Sequence, residues 1–240
     1  MDPFDIVTRY SFITNKLRYC GPHDSYLEFL EYIKTKDKKL ISKIKDQIKK
    51  FEGLYPYLEL IAKKHDLDPF DEKVIEAYWI GNDLLDSFDE KDLQEMIMAL
   101  TKRGLPKTYA KKLCDGVPKN MVPHHSFNVV YVGVGKVTGS VEFNIKNINN
   151  CLIRHGEVIN VGKLTVTLKH RPYVFKDNKI VLGKDVIEEF EYLPEFNNLE
   201  VEDIVSIHWN FVVDKLNDDQ LINLLKWTLR NIDSLNNKLN

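Results

Sequence analysis

Between residues 25 and 51 the apolar positions recur three and four apart. Tyr26, Leu27, Leu30 and Ile33 form one stripe, and Leu40, Ile41, Ile44 and Ile48 form a second. That period is helical. Residues 55–65, 72–86, 90–102 and 107–115 continue the helical reading. Asp2-Pro3 and Asp68-Pro69 look like helix starts: a carboxylate to cap free N–H groups, then a proline where its missing N–H costs nothing. Gly116 and Pro118 end the series, and a helix cannot cross the loop that runs to Pro123.

Beyond that loop the period becomes two. Residues 163–169 alternate, with Leu164, Val166 and Leu168 expected inward and Thr165 and Thr167 outward. Residues 127–132, 137–143, 151–154, 157–161, 173–175, 180–182 and 201–211 read as further strands, with glycines between them as turn residues. Asn217 with Gln220 forms a capping box. Leu221, Leu224, Leu225, Leu229 and Ile232 then stripe a closing helix, and the asparagine-rich end, residues 236–240, is expected to fray. The fold expected is α+β, with a helical region over residues 1–122 and an antiparallel β-rich region, sheet or small barrel, over 123–240. The two could form one continuous domain.

At 240 residues the chain can bury a core without metal or disulfides. Its formal net charge of −2 argues against a broadly basic nucleic-acid binder. The lysines of residues 34–50 are interrupted by Asp37 and Asp46, and read as a solvated helix face. No apolar run approaches the ~20 residues of a membrane helix. The start, Met1-Asp2-Pro3-Phe4-Asp5, has neither the basic nor the apolar region of a secretory signal. Three cysteines with no Cys-x-x-Cys pair fit a reducing compartment, so a cytoplasmic location is expected.

The candidate chemistry gathers where the period changes. His124 and His125 sit at the seam, and His155, His170 and His208 follow it. Histidine serves both metal binding and proton transfer near neutral pH. On an extended segment His124 and His125 would face opposite ways. His208 would share a strand face with Ser206. Cys20 and His23 flank a Gly-Pro turn and could approach each other as ligands of a soft metal, or the turn could simply join two helices. Cys151 and His155 share a strand face but lie ~13 Å apart on a straight strand, so Cys151 reads first as a small buried side chain. Glu76 and Asp83 bracket Trp79 on one helix face, and Gly81 there implies close packing or a break. Signature loops for nucleotide hydrolysis, serine hydrolases, zinc proteases and dinucleotide binding are absent.

Tyr19-Cys20-Gly21-Pro22, Glu76-Ala77-Tyr78-Trp79-Ile80-Gly81-Asn82, Pro123-His124-His125-Ser126-Phe127 and Ser206-Ile207-His208-Trp209 together resemble a poorly characterised archaeal and bacterial family that spans nearly this whole length. That family is associated with the neighbourhood of nickel–iron hydrogenase genes. The resemblance implies an accessory or maturation role with a protein partner, and it carries no established catalytic residues.

The leading expectation is an accessory protein binding a transition metal or small cofactor at the seam. His124, His125, His208, Cys20, Glu76 and Trp79 are its cofactor-binding candidates, and His124, His208, Cys20 and His23 its metal ligands. The alternative is a metal-independent enzyme, with His124 or His208 as base and Cys20 or Ser126 as its partner. A third reading is a non-catalytic interaction module.

Overall fold

The computed structural model describes residues 2–238. Helix α1 (Pro3–Lys16) starts as expected, with the Asp2 carboxylate accepting the Phe4 N–H at 2.9 Å. From Ile6 to Asn15 it is buried on every side, so it is the axis of the helical layer. The helical spacing over residues 25–51 resolves into α2 (Ser25–Thr35) and α3 (Ile41–Ile48), because Lys36 turns left-handed and Asp37 caps a short turn between them. Helices α4 (Tyr55–His65), α5 (Glu72–Trp79), α6 (Glu90–Leu100) and α7 (Lys107–Cys114) complete the layer. Asp68 caps only a turn, through the Phe70 N–H; Asp71 is the cap of α5. The helix expected to reach residue 86 stops at Trp79, because Gly81 takes φ +95°.

Residues 127–132 are not a strand. The segment is helical: a single turn, α8 (His125–Phe127), continues into a wider π-type turn, Asn128–Gly133. Its apolar run is continuous because most of it is buried on all sides, and so short a run has no period to separate strand from helix. Residues 137–143 hold no strand either. Cys151 is not in a strand but closes a helix, α9 (Ile145–Cys151), which Asn144 caps by accepting the Asn147 N–H.

Seven strands follow among the described residues: β1 (Arg154–Val161), β2 (Thr165–His170), β3 (Tyr173–Lys176), β4 (Lys179–Leu182), β5 (Val186–Glu191), β6 (Ile204–His208) and β7 (Phe211–Lys215). β3 and β4 form a separate hairpin. The other five close into a small barrel in the order β1-β2-β5-β7-β6. Its pairings are antiparallel except for β5 with β7, which meet in parallel at Glu191 and Phe211. Val158, Val166, Leu168, Phe190, Val205, Ile207 and Val212 fill the interior. Leu164, expected inward, is exposed because it lies in the turn before β2. The region 201–211 is a hairpin rather than one strand, since Trp209 and Asn210 both take positive φ.

Helix α10 (Asp218–Lys238) begins with the expected Asn217–Gln220 box. It does not fray at Asn236, whose amide pairs with both backbone groups of Ile180. Residues 239 and 240 lie outside the described ones. α10 pins the seam: Asn231 bonds both backbone groups of Val122 and the Ser126 hydroxyl. Trp227, fully buried, lies over Gly81, where an added Cβ would stand 2.0 Å from the indole Cδ1.

Gly81→Ala therefore combines steric overlap with a backbone angle that alanine resists. It should cost about 3 kcal/mol or more in chemical denaturation. Gly139→Ala, also at positive φ but facing open space, should cost only about 1 kcal/mol. Equal losses at the two sites would show that the Trp227 contact is not the constraint.

Candidate metal centre

Three side chains from separate elements converge where the barrel meets the helical layer. His125 opens α8, Cys151 closes α9 and His208 ends β6. All three are buried, and their ligand atoms lie within 4.8 Å of one another. The His125 and His208 rings meet edge to face at 5.3 Å, and Trp79 packs on both, at 4.7 and 5.8 Å.

The proton inventory sets the ring orientations. His208 has its Nδ1 3.2 Å from the Tyr10 carbonyl, which can only accept, so Nδ1 carries the proton. Its Nε2 is then a lone pair, buried and without a partner. His125 sits between two contacts. Nδ1 is 2.9 Å from the Tyr78 hydroxyl and Nε2 is 2.9 Å from the Cys151 carbonyl. The Cys151 carbonyl can only accept, so by the same rule Nε2 carries the proton of the neutral ring and donates to it, which leaves Nδ1 facing the Tyr78 hydroxyl; that hydroxyl also contacts the Gly53 carbonyl at 2.6 Å. Nε2 also lies 3.9 Å from the Cys151 sulfur. His208 thus holds Nδ1–H on a protein oxygen and turns a free Nε2 inward, the arrangement that orients metal-binding histidines, while His125 Nε2 is bonded to the Cys151 carbonyl at the edge of the same cluster.

Burial keeps these groups neutral. It pushes the His125 pKa down to about 4, and it holds His208 well below its ordinary value with help from His125. The Cys151 thiol is pushed up to about 12 by burial, while the Trp209 indole N–H works the other way by favouring the thiolate. Trp209 is held there at positive φ, with Tyr19 against its ring at 4.4 Å.

His125, Cys151 and His208 line a cavity of ≈ 60 Å³, together with Tyr19, Cys20, Tyr78, Trp79 and Trp209. Cys20 stands in this wall but outside the three-atom cluster, its thiol 3.5 Å from Glu52 and pushed up by burial and by that carboxylate. His23 is exposed. Asn15 holds its turn by donating to the Cys20 and Pro22 carbonyls and accepting the Tyr26 N–H. Glu76 bonds Asn82 at 3.1 Å and does not line the cavity. His124 points elsewhere: its Nδ1 engages the Ser126 hydroxyl at 2.9 Å, and the same hydroxyl is bonded by Asn231. The two seam histidines do face apart, but as a cap and a first helical residue rather than by strand alternation. His155 lies in β1, opposite Ser206, and does not line the cavity. Cys151 joins the cluster because it ends a helix. The Asn144 cap and the Ile145–Ile148 spacing are the signals that mark that helix in the sequence.

His124 is also buried, and its pKa falls to about 3 through desolvation and the neighbouring His125. A histidine with a depressed folded pKa contributes stability that is complete above about 6.5 and lost as pH falls, because the unfolded chain takes up the proton. Three such residues should give a slope approaching about 4 kcal/mol per pH unit below pH 6. Denaturation midpoints between pH 7.5 and 5 measure it. A flat profile would mean that the rings are not buried as neutral groups.

Comparison with curated proteins and with solved structures returns no match. A family model covers nearly the whole sequence. By that match, over residues 4–240, the chain belongs to a family of unknown function, DUF6390.

Proposed function

We propose that this protein binds one transition-metal ion through His125 Nε2, Cys151 Sγ and His208 Nε2, and acts as an accessory protein in handling that metal or a cofactor containing it. The carrying observation is the convergence of three buried side chains from separate elements, with ligand atoms within 4.8 Å of one another and the His208 Nε2 left without a partner. A buried polar atom left this way costs about 1–3 kcal/mol, and a cation would satisfy it, with His125 Nε2 exchanging its 2.9 Å bond to the Cys151 carbonyl for the ion. Two imidazoles and a thiolate suit zinc, nickel, cobalt or copper better than magnesium or calcium. Cysteine ligates as the thiolate, and the ion would supply the charge that brings the Cys151 thiol down from its raised pKa.

The finer reading is a cytoplasmic role in nickel–iron hydrogenase maturation with a protein partner. It rests on the sequence resemblance, and the three free cysteines accord with a reducing compartment. No helix among the described residues is long and apolar enough to cross a membrane.

A second reading has one observation in its favour. Cys151 Sγ lies 3.9 Å from His125 Nε2, within reach of a thiol–imidazole pair at the edge of a cavity. Burial opposes it, since both groups are held neutral and the proton stays on sulfur. The alkylation rate of Cys151 against pH separates the two. A thiolate population at neutral pH in metal-free protein would favour the enzyme.

Metal-free protein offered Zn²⁺, Ni²⁺ or Co²⁺ should take up one ion per chain by elemental analysis. Cys151→Ser and His208→Asn should each lower affinity by at least tenfold, whereas His23→Asn should leave it unchanged. Protein that carries no metal as purified and takes up none after loading would rule out the metal reading.

A further inference from the structure

The electrostatics of the cavity go beyond the three ligands and rest on the metal reading above. A divalent ion held by two neutral imidazoles and one thiolate keeps one uncompensated positive charge. Nothing lining the cavity offsets it: among its described residues there is no aspartate, glutamate, lysine or arginine. Glu52 stands against Cys20, and its charge acts on that thiol rather than on His125, Cys151 or His208. Arg154 adds positive potential from behind. It is 4 % exposed, it donates to His170 Nδ1 at 3.3 Å, and its charge helps depress His208. An excess charge in an apolar enclosure is expensive unless neutralised.

Two further observations point at what neutralises it. Three protein donors leave a tetrahedral ion one position short, and an open position is what metal sites keep for an exogenous ligand. The cavity wall also carries a buried indole N–H without a partner, that of Trp79, which packs against both His125 and His208. The Trp209 N–H is engaged instead at the Cys151 sulfur. Indole N–H can only donate. The unfilled requirement is therefore for a small ligand with a metal-binding lone pair, negative charge and acceptor capacity.

We propose that the fourth position of the metal centre opens into this cavity and takes a small monoanionic Lewis base, held by the Trp79 N–H group. The ligand could reach the ion past the segment from Gly133 to Val141, which forms the side of the cavity without regular structure. Ser140 ties that segment to the turn after α1 by donating to the Tyr19 carbonyl at 2.8 Å.

The test uses full-length protein loaded with Co²⁺, whose visible bands report coordination, titrated with azide. The expected result is a saturable change in those bands at one azide per chain, with cobalt still bound by elemental analysis. Trp79→Phe keeps an aromatic side chain and removes the N–H. With cobalt at saturation it should bind azide about fivefold more weakly, the value of one neutral hydrogen bond. Bound cobalt whose spectrum azide leaves unchanged would overturn this inference and leave the metal reading standing. Unaltered azide affinity in Trp79→Phe would overturn the role of the indole. Failure to bind cobalt, nickel or zinc at all would overturn both the metal reading and this one.

Discussion

Strand β6 is buried on both faces, and the rest of the molecule is arranged around that constraint. One face, Val205 and Ile207, belongs to the barrel interior. The other carries Ser206 and His208, both polar and both fully buried, so each must find its hydrogen bonds in the helical layer. Tyr10 of α1 answers both, with its hydroxyl to Ser206 at 2.9 Å and its carbonyl to His208 at 3.2 Å. α1 cannot shift along the barrel without breaking those bonds. Because α1 is itself surrounded, the registry of the barrel against the helices is set there.

The same logic explains why the seam is helical. His125 must reach inward to Tyr78 and Cys151 while His124 turns towards Ser126 and α10. A capped helix start divides two adjacent side chains in that way and leaves the backbone satisfied. Asn231 of α10 then closes the loop by bonding Val122 and Ser126 together. The closing helix is thus a structural part of the centre, although none of its residues lines the cavity. Trp227 and Gly81 add the matching steric contact, which allows α10 to lie directly on the end of α5.

Neutrality is the common state of the buried groups. Each imidazole is depressed and each cavity thiol raised for one reason, the loss of water. The centre consequently offers lone pairs rather than charges. That favours a ligand bringing its own positive charge over a reaction needing a standing thiolate–imidazolium pair.

Much of the architecture was legible in the amino-acid order. The helical periods, the Asp2 and Asn217 caps, the strand alternation near Val166 and Leu168, and the break at Gly81 all act locally, through backbone geometry and burial of one face. His125, His208, Trp79 and Cys20 could be named as candidates because their types and their place at the change of period were visible. Other features depended on long-range packing. The segment from His125 to Gly133 is helical because neighbours bury it on all sides, which erases any period. Cys151 meets His125 and His208 because α9 and β6 end at the same point, a fact of topology. His23 is left outside because Asn15 holds its turn open to solvent. Sequence alone determined which residues could do chemistry and where the fold changes class. Only the tertiary structure decided which of them share a cavity, because convergence of residues 26 and 57 positions apart is set by barrel closure and not by local preference.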